Sequence, residues 1–296
     1  MELLTEFLRA DRAFVADAEP DEIRRRERPT PMSRGLRRRV ELEPAAVAGV
    51  GGLWVTPEDG DGEAATVLYL HGGGYCFCST DTHRGLIGYV AHYSGARCFA
   101  PNYHLAPEHR HPAAIEDAVA VYRALLADGV APERLFLAGD SAGGGLALAT
   151  LLELRLAGDP LPRAAVLMSP WVDLACEGES IDENGVHDYL SRKVLEVFAG
   201  YYLGDADPRT PSASPIYADL TGLPPLHIQV GGAETLLSEG RTLAERAAAA
   251  GVDTELRVWD GAVHVFQAFA PFVSEATEAL RAAGRFVRER SEKATG

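Results

Sequence analysis

Gly139-Asp140-Ser141-Ala142-Gly143-Gly144 is the stretch whose reading decides the fold. Before it runs Arg134-Leu135-Phe136-Leu137-Ala138, an apolar run of the length of a buried strand. After it comes Leu146-Ala147-Leu148-Ala149-Thr150-Leu151-Leu152, which reads as a helix. A serine between two glycines at a strand-to-helix turn fits G-x-S-x-G, the elbow that presents a nucleophilic hydroxyl. The turn is tight and strained, and a Cβ at 139 or 143 would meet the neighbouring strand or helix. The Ser141 hydroxyl is then expected at the carboxyl end of a sheet, beside the first N–H groups of the helix and the positive end of its dipole. The pattern also arises by chance, and Ser141 as a plain helix N-cap is the competing reading.

Composition sets the frame. A chain of 296 residues, 47% hydrophobic and 24% charged, suits one large α/β domain over 1–296 with small cap segments at 1–40 and about 175–210. The net charge of −15 argues against a nucleic-acid partner, which would need basic patches. No run approaches a membrane-spanning helix, and Met1-Glu2-Leu3-Leu4-Thr5-Glu6-Phe7 has neither a basic leader nor a long apolar core. The expectation is a cytoplasmic protein with no stable membrane insertion. Cys76, Cys78, Cys98 and Cys176 lack zinc-site spacing, and Cys76 and Cys78 stand too close for ordinary disulfide geometry. Buried, reduced thiols are expected, with no metal.

Elsewhere the chain alternates. Residues 1 to about 40 have helical composition up to Pro29 and Pro31, and their clusters Arg24-Arg25-Arg26 and Arg37-Arg38-Arg39 read as solvated faces among acidic neighbours. Val40-Glu41-Leu42 and Gly52-Leu53-Trp54-Val55 read as two antiparallel edge strands. Strands are expected at 65–70, 97–101, 164–168, 226–230 and 254–259, and helices at 112–127, about 236–250 and about 272–290. Such alternation predicts a mostly parallel sheet wrapped by helices. The irregular interval 171–222, with one helical patch at 190–203, reads as an insertion at the carboxyl edge of that sheet, where loops build active sites.

The second informative stretch is His71-Gly72-Gly73-Gly74, directly after a strand. Three glycines let backbone N–H groups converge without side chains in the way, as an oxyanion hole requires. The N–H of Ala142 would be the third donor. A phosphate loop is excluded, because no Gly-Lys-Ser/Thr follows. A serine nucleophile needs a base, and the base an acid; with this elbow they follow in the order Ser, acid, His. Of the histidines after Ser141, His227 lies within an apolar strand and His187 in the acidic interval, whereas His264 lies in a loop between the last strand and last helix. His264 is the expected base. Glu234, in the loop after the 226–230 strand, is the expected acid, with Glu239 and Asp260 as competitors.

Taken together, His71-Gly72-Gly73-Gly74, Tyr103-His104-Leu105-Ala106-Pro107-Glu108, Gly139-Asp140-Ser141-Ala142-Gly143-Gly144, Ser169-Pro170-Trp171-Val172-Asp173-Leu174, Ser214-Pro215 and Val263-His264-Val265-Phe266 resemble the hormone-sensitive-lipase-like (bacterial family IV) esterases of the α/β-hydrolase fold. The likeness runs over roughly residues 50–290. It implies an eight-stranded, mostly parallel sheet with flanking helices and a helical N-terminal cap, and often a homodimer through the last strand edge. It also implies a triad of Ser141, an acid and His264, oxyanion donors at Gly73, Gly74 and Ala142, and support from His71, Gly72 and Asp140. Two departures stand out. Glu234-Thr235-Leu236 replaces the family's common Asp-Pro-Leu, as in the branch whose acid is glutamate, and His104 stands where the family often has Arg.

The expected activity is therefore hydrolysis of small-molecule esters with short to medium acyl chains, through an acyl-enzyme and without cofactor. An amidase or lactonase would use the same triad. A hydrolase-dead ligand receptor or a purely structural domain could share the fold, but the former tends to lack the base, and His264 is present. Leu3, Phe7, Met32 and Leu36 are candidates for shaping an acyl pocket.

Overall fold

The computed structural model describes residues 15, 17–30, 32–59 and 65–292. Short helices α1 (Pro20–Arg26) and α2 (Arg34–Arg37) precede the sheet. There follow β1 (Val40–Val47), β2 (Val50–Pro57), β3 (Thr66–Leu70), α3 (Thr80–Ser94), β4 (Arg97–Pro101), α4 (Ala113–Ala127), β5 (Leu135–Asp140), α5 (Ala142–Ala157) and β6 (Ala164–Met168). The insertion carries α6 (Ser180–Glu183) and α7 (Arg192–Leu203). The chain ends with β7 (Leu226–Gly231), α8 (Leu237–Ala249), β8 (Thr254–Trp259) and α9 (Ser274–Glu292).

One eight-stranded sheet results, in the order β1-β2-β4-β3-β5-β6-β7-β8. The pairs β1–β2 and β2–β4 are antiparallel, and all the others are parallel. The β1–β2 hairpin was legible, but only β1 is an edge, because β2 also pairs with β4. Pro44 sits in β1, where a missing N–H is tolerated. At the other edge, β8 is half-buried along its length.

The central strands read as unbroken apolar runs because both of their faces are covered. Leu68 and Leu70 of β3, Leu135 and Leu137 of β5, and Ala165 and Leu167 of β6 enter a core with α4, α5 and α8. Their neighbours Val67 and Tyr69, Phe136 and Ala138, and Val166 and Met168 enter a second core under α3 and α9. Two features differ from expectation. Helix α3 was missed, although Ser79 and Thr82 form a reciprocal capping box and Gly95 closes the helix at φ +71°. The insertion holds an extra helical turn, α6, besides the patch that became α7. All four cysteines are free thiols; Cys76, Cys98 and Cys176 are buried and Cys78 is half-buried.

The parallel strands all end on one side. The loops after β3, β5, β6, β7 and β8 therefore meet there, carrying His71-Gly72-Gly73-Gly74, Ser141, Ser169, Glu234 and His264 respectively.

Candidate active site

Ser141 caps α5 with φ +52° and ψ −125°, a backbone conformation that costs a non-glycine residue energy and that surrounding bonds must enforce. Its N–H donates to the Met168 carbonyl at 2.9 Å, and its carbonyl accepts the N–H groups of Gly144 and Trp171, each at 2.9 Å. Glycine is required on both sides: a Cβ on Gly139 would strike the Gly143 carbonyl, and one on Gly143 the Leu70 carbonyl. The elbow is thus wedged between β3, β5 and β6, and its hydroxyl lies 2.8 Å from His264 Nε2.

His264 is 2% exposed, and its Nδ1 faces Oε1 of the fully buried Glu234 at 3.5 Å. Neither of these two atoms has a hydrogen-bond partner among the described residues. Catalytic hydrogen bonds are often long before substrate arrives, so the 3.5 Å spacing is compatible with a base and its orienting acid. The other Glu234 oxygen is anchored: Oε2 accepts the Ser169 hydroxyl at 2.7 Å and the Gly231 N–H at 2.5 Å. Ser169 Oγ in turn accepts the Val265 N–H at 3.1 Å, so the residue after the imidazole is tied to the acid. Burial raises the Glu234 pKa. Burial alone would lower that of His264, but Glu234, Asp188 and Asp140 outweigh it and the net shift is upward from 6.5.

The competitors fall elsewhere. Glu239 lies on α8, and its Oε2 accepts the N–H groups of Val172 at 2.9 Å and Asp173 at 3.1 Å, so it supports the chain after β6. Asp260 and His187 are exposed. His227 is a core residue, with Nδ1 3.0 Å from Glu255 and Nε2 2.9 Å from Gln229.

Gly73 and Gly74 have φ of +112° and +57°. A Cβ on the first would strike the Phe77 backbone, and one on the second would come within 2.7 Å of the Phe198 ring. The N–H groups of Gly73, Gly74 and Ala142 donate to no protein acceptor among the described residues. Two neighbours set the loop. His71 donates Nδ1–H to the Gly72 carbonyl at 2.7 Å; burial lowers its pKa to about 3, which keeps it neutral. Asp140 accepts the Tyr69 hydroxyl at 2.6 Å and the Gly72 N–H at 3.2 Å, tying the glycine loop to the residue before the serine. Its second oxygen lies 3.3 Å from His83 Nε2. Burial pushes the Asp140 carboxyl up and the His83 imidazole down, but their mutual attraction prevails: the carboxyl pKa is lowered and the imidazole pKa raised.

In front of Ser141 opens a cavity of about 290 Å³, with Phe77, Leu86, Leu195, Phe198 and Phe269 among its walls. Of the proposed pocket residues, Met32 and Leu36 turn instead into the core against Gly88 of α3; it is Thr30, outside that set, that reaches the cavity wall. Leu3 and Phe7 lie outside the described residues. The solvated-face reading fails for Arg24. Its guanidinium donates to the carbonyls of Cys76 at 2.7 Å and Ala106 at 2.6 Å and pairs with Glu108, fastening α1 to the glycine loop. His104 Nδ1 lies 2.7 Å from Asp117 Oδ2.

Sequence reasoning missed His83, the anchoring part of Ser169, and Asn184, Asp188 and Tyr189. Ser169 opens the Ser169-Pro170-Trp171-Val172-Asp173-Leu174 motif, and His83 follows a recognisable capping signal. The other three bond to backbone in distant loops, for which sequence carries no signal.

Residues 67–268 match a family model described as alpha/beta hydrolase fold. An acetyl-hydrolase of Streptomyces hygroscopicus is 47% identical over 236 residues, 79% of this chain and 78% of that protein. An esterase of Acinetobacter venetianus is 36% identical, over 81% of this chain and 80% of its own. The crystal structure of an esterase from the bacterial hormone-sensitive lipase family superposes with a TM-score of 0.89 at 41% identity, covering 97% of this chain and 98% of that one. EstE5, studied after soaking with p-nitrophenyl butyrate, superposes at 0.88 with 36% identity, over 96% and 98%.

Proposed function

The chain belongs to the α/β-hydrolase fold family, as a carboxylic ester hydrolase of the hormone-sensitive-lipase-like esterases, and from that membership we propose that it works as a serine esterase on short to medium acyl chains. The observation that carries the reading is the line Ser141 Oγ, His264 Nε2 at 2.8 Å, then His264 Nδ1 facing Glu234 at 3.5 Å. It has the geometry of nucleophile, base and orienting acid.

His264 Nε2 accepts the Ser141 proton as Oγ attacks the ester carbonyl. Negative charge develops on the carbonyl oxygen, and the N–H groups of Gly73, Gly74 and Ala142 are the donors for it. Collapse breaks the bond to the alcohol, which leaves with the proton from His264. Water then attacks the acyl-enzyme, giving its proton to His264; collapse frees the acid and returns the proton to Ser141. Glu234 keeps Nδ1 protonated and stabilises the imidazolium. His71, Gly72 and Asp140 fix the glycine loop.

The cavity of about 290 Å³ is at the small end of ligand sites, and its apolar walls suit a short alkyl chain. The described part of the 1–40 segment and the segment at about 175–210 serve as the cap, within which Thr30, Tyr189, Leu190, Leu195 and Phe198 wall the cavity, while residues 1–14 lie outside the described residues. As the free edge of the sheet opposite β1, β8 is the edge through which a homodimer would form in this reading. No helix among the described residues is long and apolar enough to cross a membrane.

Hydrolysis of p-nitrophenyl esters from acetate to palmitate tests the reading. Wild type should act on the short members, and Ser141→Ala should lose on the order of 10⁴-fold or more in kcat. Undiminished turnover by Ser141→Ala would sink the serine mechanism.

A further inference from the structure

The acid and base loops are not held by the sheet alone. The stretch from Ser180 to Leu190, in the insertion after β6, reaches over both. Asp188 is fully buried. Its Oδ2 accepts the Thr235 N–H at 2.8 Å, and its Oδ1 accepts the Tyr189 N–H at 2.8 Å and the His264 N–H at 3.3 Å. The Tyr189 hydroxyl donates to the His264 carbonyl at 2.9 Å. Asn184 Nδ2 donates to the Glu234 carbonyl at 2.9 Å. One short segment thus grips the backbone of the acid from one side and of the base from the other. The same segment is cavity wall, because Tyr189 and Leu190 face the space before Ser141.

We propose that Asp188 is a positioning residue that clamps the acid and base loops in register, and that Tyr189 couples this clamp to the wall touching the acyl chain. This rests on the serine-esterase reading above. A buried carboxylate accepting N–H groups from two separate loops fixes their distance in a way the parallel strands beneath cannot, since the loops extend beyond the last ladder bonds. Shifts of about 1 Å in such constellations are costly to rate. The clamp also adds charge. The groups facing His264 are Glu234 from the β7–α8 loop, Asp188 and the Tyr189 ring from the insertion, and Asp140 and the Ser141 hydroxyl from the elbow. The Asp188 carboxylate favours the imidazolium, so its loss should ease deprotonation of the free enzyme.

The test compares full-length wild type, Ser141→Ala, Asp188→Asn and Tyr189→Phe on p-nitrophenyl acetate and hexanoate, with pH profiles of kcat/KM and rates of labelling by a fluorophosphonate. Asp188→Asn keeps the shape but turns an amide donor toward an N–H. It should lower kcat at least tenfold with KM changed less than threefold, slow labelling in parallel, and move the acid limb of the profile to lower pH. A merely structural residue would reduce stability and the fraction of active enzyme while leaving the acid limb in place. Tyr189→Phe keeps the wall and removes only the bond to the His264 carbonyl, so several-fold loss in kcat is expected on both esters. Wild-type kcat and an unmoved acid limb in Asp188→Asn, with Ser141→Ala inactive, would overturn the clamp. If Asp188→Asn does not fold, wild-type kcat in Tyr189→Phe overturns it instead. Full activity in Ser141→Ala would overturn the esterase reading itself, whatever position 188 does.

Discussion

Replacing Glu234 by glutamine isolates the orientation of the base. The side chain keeps its length, and its amide oxygen can still accept the Ser169 hydroxyl and the Gly231 N–H that hold Oε2 now. What changes is the atom facing His264 Nδ1 across 3.5 Å. With the oxygen retained on the Ser169 side, an NH₂ group meets Nδ1 and favours the tautomer protonated on Nε2, which cannot accept the Ser141 proton. A wrong tautomer of this kind lowers kcat by about 10⁴, or about 5.4 kcal/mol at 1.36 kcal/mol per tenfold. The fold should be spared, since the variant buries a neutral group of the same shape where burial already raises the carboxyl pKa. Glu234→Asp is the geometric counterpart: shortening by one methylene draws the carboxylate back by roughly 1.5 Å, beyond hydrogen-bond reach of Nδ1. Both variants would be assayed on p-nitrophenyl butyrate with active-site titration and a thermal melt. Less than tenfold loss of kcat in Glu234→Gln, with Ser141→Ala inactive, would refute the assignment of Glu234 as orienting acid.

Glu239→Gln should leave kcat within a few-fold, as its oxygen still accepts the Val172 and Asp173 N–H groups; since burial holds the folded carboxyl pKa well above 4.5, wild type loses stability as pH rises from there toward the folded value, and the variant should melt higher at pH 9. Gly143→Ala forces a Cβ into the Leu70 carbonyl and should cost more than about 4 kcal/mol in urea unfolding, or leave no soluble protein. Phe198→Ala removes a cavity wall that is 2% exposed; it should cost about 3 kcal/mol and move the preferred acyl chain to longer members, seen in kcat/KM along the ester series. The acid limb of wild-type kcat/KM should lie above 6.5, because catalysis needs neutral His264 and its neighbours hold the proton more tightly.

Much of this was legible because the relevant signals are local. A glycine on each side of Ser141 is a backbone requirement, and the apolar runs of β3, β5 and β6 are long enough to reveal strands buried on both faces. His264 and Glu234 come together with Ser141 because loops after parallel strands converge at one end. What escaped depends on contacts that sequence spacing does not encode. Arg24 read as one of three surface arginines, but it reaches carbonyls more than 50 residues away. Asp188 stands in an acidic interval whose spacing encodes no link to the other loops, and only the folded chain brings Thr235 and His264 to it. Met32 and Leu36 are apolar residues of the N-terminal segment, and apolarity alone cannot separate a cavity wall from a core.

The two ends of the sheet are unlike. The β1 end presents exposed Glu41, Glu43 and Pro44, features that discourage another strand from adding, whereas β8 has no proline and is half-buried. Two copies meeting β8 to β8 about a two-fold axis would merge two eight-stranded sheets into one of sixteen strands, with β1 at both outer ends. Growth would stop there by construction. In such a pair the asymmetry of the edges would act as a terminator, allowing a closed dimer and disfavouring a fibre.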